Sequence, residues 1–216
     1  MTPLTELIIE SGDANHVLAA GQLARMLGGS DERRYGQVNR ALKTGELLRV
    51  KRGLYVLADK YRDFPVHPFA LAQQLMPASY ISAESALSYH GWIPEAVRSV
   101  VSVTAKGKSV SYEHDTLGLY EFRRMSVKPG YFLQAVTRYE LQHQVALIAE
   151  PMRALLDLVY LRKLPWQGMD YLLDGLRIDE QAIRAVPSLS ITRLLEVYTG
   201  KREREFIEEL MRALDL

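Results

Sequence analysis

Residues 30–57 read SDERRYGQVNRALKTGELLRVKRGLYVL, and the fold of the amino-terminal part of the chain turns on them. Ser30 stands where a helix N-cap is wanted, with Asp31 and Glu32 in the first turn, and negative charge there complements the helix dipole. The helical pattern continues through Leu42 and stops near Gly45. Tyr35, Val38, Ala41 and Leu42 form its apolar stripe, while Arg33, Gly36, Gln37, Arg40 and Thr44 recur at spacings of three or four on the opposite face. The helix is therefore expected to bury Tyr35, Val38 and Leu42 and to show water a basic, amide-bearing face. Two short strands follow. Leu47 to Lys51 alternates apolar and basic residues, Arg52-Gly53 makes a tight turn, and Leu54 to Leu57 returns. Gly53 supplies the backbone freedom such a turn needs.

Upstream, Leu4, Leu7, Ile8 and Ser11 share a helical face over Pro3 to Ser11. His16 to Leu18 is a short apolar step, and a second helix reads Ala20 to Leu27 before Gly28-Gly29 ends it. Three helices and then a β-hairpin, within residues 1–58, is the element order of a winged helix-turn-helix. Residues 59–68 contain two prolines and mixed charges and read as a linker. Residues 69–216 read as a larger, mixed α/β domain ending in a helical bundle. Helices are expected over Phe69–Met76, Ser82–His90, Pro151–Arg162, Met169–Leu176, Asp179–Val186, Ser188–Tyr198 and Arg202–Leu214. Strands are expected over Ser99–Ala105, Leu117–Met125, Tyr131–Val136 and Val145–Ala149. The fold class expected is α+β.

The charge is segregated. The chain has 216 residues, with 27 basic against 26 acidic side chains and a net charge of +1. Between Arg33 and Arg52, however, lie Arg33, Arg34, Arg40, Lys43, Arg49, Lys51 and Arg52 against the single acid Glu46, a local charge of +6 in 20 positions. Lysine and arginine contacts to phosphate supply most non-specific DNA affinity through counterion release. An α-helix fits the major groove, where arginine pairs with guanine and glutamine with adenine. On this reading Arg33, Gln37 and Arg40 face base edges, with Gly36 allowing close backbone approach. Arg34 and Lys43 flank the helix toward phosphates, with Thr44 at its end. Arg49, Lys51 and Arg52 lie on the hairpin, and Tyr55 either packs it or donates to a phosphate. The competing explanation is a solvated helix face whose late basic residues favour the dipole.

Composition bounds the rest. A 48% hydrophobic and 25% charged sequence suits a packed globular protein. The absence of cysteine excludes disulfides, thiolate zinc sites and cysteine nucleophiles and fits a reducing cytoplasm. Glu6 and Glu10 and the lack of a basic run argue against a signal peptide, and no apolar run is long enough to span a membrane.

Three segments resemble the AbiEi family, the antitoxin-type transcriptional regulators of type IV toxin–antitoxin and abortive-infection systems. Gly45 to Tyr55 (GELLRVKRGLY) is similar to that family's GxLxRVxRGxY wing. Tyr80 to Trp92 (YISAESALSYHGW) resembles its SxxSALxxxG segment, and Ala149 to Leu158 (AEPMRALLDL) its AxPxRALxD helix start. The three occur in the family's order; nothing after about Pro165 carries a motif. The resemblance implies a winged helix that binds inverted repeats at the promoter of its own operon and represses it. It also implies a carboxy-terminal domain that counters a nucleotidyltransferase-like toxin encoded beside it, without a stable complex. Binding inverted repeats needs two copies of the winged helix on the DNA.

No enzyme is expected. Ser82, Ser85 and His90 are close in sequence, but no G-x-S-x-G elbow surrounds either serine. Ser82 reads as an N-cap, with Ser85 at the third helical position and a protonated His90 near the helix end, where it would favour the dipole. Asp115, Glu121 and Arg123 faintly resemble a nuclease pattern, but Glu121-Phe122-Arg123 stands where Glu-x-Lys is wanted. The five histidines show no metal-ligating spacing, and no metal or cofactor is expected. Arg98 to Arg138 holds seven basic and three acidic residues, +4, either a solvated sheet face, an extension of the DNA footprint, or a contact for an acidic or RNA partner of the toxin. Phe206, Ile207, Leu210, Met211 and Leu214 form one stripe on the last helix, read as core, with a partner-binding helix as the lesser reading. A non-catalytic interaction module and a DNA-binding nuclease are the alternatives to the regulator.

Overall fold

A computed structural model describes residues 1–95 and 97–216. The fold is α+β and divides into two compact units. The first comprises residues 1–75 with 142–144, the second 76–141 with 145–216.

In the first unit, α1 (Pro3–Glu10) begins at Thr2, whose side chain accepts from the Thr5 amide. After β1 (Leu18–Ala19) come α2 (Ala20–Leu27) and α3 (Asp31–Lys43), then β2 (Leu47–Lys51) and β3 (Leu54–Leu57). The strands form an antiparallel sheet in the order β1-β3-β2, with Leu18 opposite Tyr55 and Leu47 opposite Leu57. Leu4, Ile8, Leu18, Leu23, Ala41, Leu47 and Leu57 make the buried core, with Met26, Val38 and Leu42 packed against it. The six leucine and isoleucine side chains of the buried core are worth roughly 9 kcal/mol or more of transfer free energy before entropy is counted, at about 1.5 kcal/mol or more each.

The stretch 59–68 and the helix α4 (Pro68–Leu75) lie in this first unit. The segment is held rather than loose. Tyr61 packs on the core, and Asn15 and Asp63 exchange two hydrogen bonds of 2.9 Å, Asn15 Nδ2 donating to Asp63 Oδ2 and Asp63 N to Asn15 Oδ1.

The second unit holds a six-stranded mixed sheet in the order β6-β7-β5-β4-β9-β8. Its strands are β4 (Ser79–Ile81), β5 (Ser99–Thr104), β6 (Val110–His114), β7 (Gly118–Arg124), β8 (Val136–Leu141) and β9 (Gln144–Ala149). β5 and β7 run parallel with Ser102 opposite Phe122, whereas β4 and β5 run antiparallel. Helices α5 (Ala83–Tyr89), α6 (Pro151–Arg162), α7 (Glu180–Arg184), α8 (Ser188–Leu194) and α9 (Lys201–Ala213) complete it. The strand expected at 131–136 is instead a turn over 132–135, and the strand begins at Val136. Residues 171–175 wind as a π-helix rather than an α-helix. The α9 stripe is intramolecular core: Phe206, Ile207 and Leu210 are fully enclosed.

Candidate nucleic-acid interface

The third helix is placed by its cap and by one narrow buried arc. Ser30 Oγ accepts from the Arg33 amide at 3.4 Å, and at the other end Thr44 Oγ1 donates to the Ala41 carbonyl at 3.2 Å. Ala41 is fully buried, and Val38 and Leu42 beside it are partly so. At 3.6 residues per turn the direction opposite this arc is occupied by Gly36, with Arg33, Arg40 and Lys43 around it, all exposed. Gln37, on the flank, is half-buried.

Tyr35 departs from the sequence expectation. It is 70% exposed, although it lies almost in line with Leu42. The core supports only the second half of the helix, and its first two turns stand clear, leaving Asp31, Glu32, Arg33, Tyr35 and Gly36 all in solvent. Periodicity located the stripe but not the point at which the core beneath it ends.

Gly36 sits in the middle of a helix of 13 residues. A Cβ built there meets nothing within 4 Å, so neither packing nor backbone conformation within the protein calls for glycine. An exposed helix-interior glycine costs about 0.5–1 kcal/mol relative to alanine.

The hairpin carries the other cations. Arg49 lies across the ladder from Tyr55, its guanidinium 6.0 Å from the ring centroid. Tyr55 itself is 9% exposed and belongs to the core, which assigns it the packing role. The register shifts between Arg49 and Lys51. Lys51 Nζ donates to the Leu75 carbonyl at 2.6 Å, and burial lowers its pKa. Arg52 is exposed at the turn, beside Gly53 at φ 82°. Arg34 is engaged within its own segment, Nε donating to the Gly28 carbonyl at 3.1 Å and Nη1 to Asp31 Oδ1 at 2.9 Å. The structure thus leaves Arg33, Arg40, Lys43, Arg49 and Arg52 on the surface and turns Arg34 and Lys51 to internal hydrogen bonds.

Glu46, the acid among these bases, is buried. Its Oε2 accepts from the Thr2 amide at 2.7 Å and from Thr2 Oγ1 at 2.9 Å. The backbone hydrogen bond from Thr2 is the main reason its pKa is held down at about 2; burial acts against it, and the Thr5 and Thr2 hydroxyls assist.

Ser82, Ser85 and His90 take structural places in the second unit. Ser82 stands at the N-cap of α5 without a side-chain capping bond; its hydroxyl donates instead to Asp157 Oδ2 at 2.6 Å. Ser85 Oγ donates to the Ser99 carbonyl at 3.1 Å and accepts from the Val101 amide at 2.8 Å, fastening α5 to β5. His90 Nε2 lies 2.9 Å from the Ala149 carbonyl, and burial lowers its pKa, which favours the neutral ring over the protonated one expected. Glu121 pairs with Arg123. Among the described residues no group of three or more His, Asp or Glu side chains is arranged to hold a metal ion, and no helix is long and apolar enough to cross a membrane.

A buried polar constellation went unread in the sequence. Arg153 and Asp157 on α6 are both fully enclosed, with Arg153 Nε 2.9 Å from Asp157 Oδ1. Arg153 Nη2 donates to Tyr80 Oη at 2.6 Å and Nη1 to the Gln134 carbonyl at 2.7 Å. Asp157 accepts from Tyr80 Oη at 2.8 Å, Ser82 Oγ at 2.6 Å and Tyr198 Oη at 2.7 Å. Burial pushes both phenols well above their ordinary pKa. The signal was present: an Arg and an Asp four apart inside an otherwise apolar helix share a face, and buried charges need partners. A cleft of about 740 Å³ opens elsewhere in this unit, with Leu87, Val101, Leu158 and Leu176 among its lining. Its carboxylates Glu84, Glu95 and Glu121 are matched by Arg162, Arg177 and Arg123.

No known family model matches this chain, and no curated protein matches it.

Proposed function

We propose that residues 1–58 act as a winged helix-turn-helix that binds duplex DNA, with α3 in the major groove and the β2–β3 hairpin against the backbone. The observation that carries this is the pairing of a glycine with a ring of cations. Gly36 weakens the helix, has no reason to be glycine inside the protein, and is surrounded by Arg33, Arg40 and Lys43. A surface that gives up helix stability to stay flat, and is cationic there, suits close approach to a polyanion. Glu46, the one acid of this stretch, is held by Thr2 and not by these cations. Arg40 is the residue for base reading; Arg33, Lys43, Arg49 and Arg52 serve phosphates.

The chain as a whole we read as an autorepressor and antitoxin of the type IV, AbiEi kind, its second domain countering a nucleotidyltransferase-like toxin. Support comes from the resembling segments and from how two of them meet: Tyr80 and Ser82 of one hydrogen-bond Asp157 of the other, which also holds Arg153. They form one polar core, so a shared pattern in both has a shared physical cause. The test is protection of duplex DNA immediately upstream of the protein's own reading frame, with co-expression of the adjacent frame. Footprinted inverted repeats and rescue from a toxic neighbour are expected. Absence of both contradicts the reading.

A further inference from the structure

Resting on the DNA-binding reading above, we infer that Tyr35 is a phosphate-contacting residue of the third helix, its hydroxyl donating to a backbone oxygen on the wall of the groove opposite Arg33. The phenol is 70% exposed on the half of α3 that stands clear of the core. Gly36 marks the direction that faces the groove floor. At 100° per residue Arg33 and Gln37 lie to one side of it and Tyr35 to the other. The major groove is about 12 Å wide and a helix with its side chains about as broad. Residues on the two flanks of the approaching face therefore meet the two phosphate walls, while the central strip meets base edges.

The local sequence favours an external role for this ring. Tyr35 and Gly36 are adjacent, both exposed, and both poorer helix formers than the Lys, Glu or Gln that would serve a solvated turn. Asp31 and Glu32 lie four and three residues before position 35, the spacing at which a lysine or arginine there would face them. A neutral donor there holds a phosphate without adding charge beside Arg33 and Arg34. This gives the contact a signature no lysine or arginine shares. A cation that meets a phosphate releases counterions and steepens the salt dependence, whereas a hydroxyl donor contributes affinity and leaves the slope alone.

The experiment is a titration of fluorescently labelled upstream duplex, and of a scrambled duplex, with the full-length protein and its Tyr35→Phe variant across a salt series. Removal of one exposed hydroxyl leaves the fold intact, which a thermal melt verifies. The expected result is a loss of about tenfold in affinity for Y35F, the scale of a hydrogen bond to a charged group. The loss is equal on both duplexes, with parallel plots of log affinity against log salt. Wild-type affinity in Y35F overturns the inference while leaving the DNA-binding reading intact. A loss confined to the upstream duplex overturns the phosphate assignment in favour of base reading. Absence of salt-dependent binding by the wild-type protein overturns the DNA-binding reading itself.

Discussion

The Glu46 carboxylate accepts the Thr2 amide at 2.7 Å, linking the residue just before β2 to the cap of the first helix. One acid in a run of bases normally moderates their field. Here it is turned inward and held by Thr2 and the Met1 amino terminus rather than by the cations on the surface.

That same bond makes stability sensitive to acid. A carboxylate whose folded pKa is depressed contributes stability that is complete above its unfolded value, near 4.5, and lost as pH falls through its folded value of about 2. Denaturant midpoints measured from pH 6 to pH 2 are expected to converge for wild type and Glu46→Gln as the medium becomes acid, with wild type the more stable at pH 6. Curves that stay parallel over that window contradict the role given to Glu46.

Gly36→Ala separates folding from binding. Because a Cβ at this position meets nothing within 4 Å, alanine is expected to stabilise the protein by about 0.5–1 kcal/mol. The added methyl holds the helix off the groove floor, so DNA affinity falls in the same variant. Calorimetry and a DNA titration on one preparation check both signs. A variant that gains both stability and affinity removes the case for close approach.

Arg40 and Arg52 are expected to fail differently. Arg40→Ala lowers the preference for upstream over scrambled DNA by about 1–3 kcal/mol. Arg52→Ala weakens binding to both about equally and reduces the salt slope by about 1. Equal losses on both duplexes for Arg40→Ala count against base reading at that position. Lys51, whose amine donates to the Leu75 carbonyl, is a poorer wing probe than its sequence position implies.

Asp157→Asn is expected to destabilise the second unit by about 3–5 kcal/mol, because it leaves Arg153 charged and enclosed without its carboxylate. Denaturant unfolding measures it. A loss below about 1 kcal/mol shows that the network reorganises around the neutral side chain.

The cap at Ser30, the glycine after β2 and the alternation over Leu47–Lys51 carried local, mechanistic signals, and the elements they delimit were legible in the sequence. What was not legible depended on distance along the chain. Tyr35 repeats the stripe of Val38 and Leu42, but its exposure depends on where the core ends, which no local period encodes. Lys51 and Arg34 looked like surface cations until their acceptors, the Leu75 and Gly28 carbonyls, were placed. Ser82 was correctly set at a helix start, yet its hydroxyl serves a carboxylate 75 residues away. β4, β6 and most of β8 are not legible in the sequence: Ser79–Ile81 has three residues and no alternating pattern, Val110–His114 has no buried face to mark it, and the strand expected over Tyr131–Val136 meets β8 at Val136 alone.

The most direct measurement is the salt dependence of duplex DNA affinity for the full-length protein. The four surface cations assigned to phosphates, Arg33, Lys43, Arg49 and Arg52, predict that log affinity falls against log salt with a slope of about −3 to −4. Replacing Arg33 and Lys43, the two helix cations assigned to phosphates, together by alanine is expected to flatten that slope by about 2. A slope near zero, or one unchanged in the double variant, would contradict the claim that this helix face grips DNA.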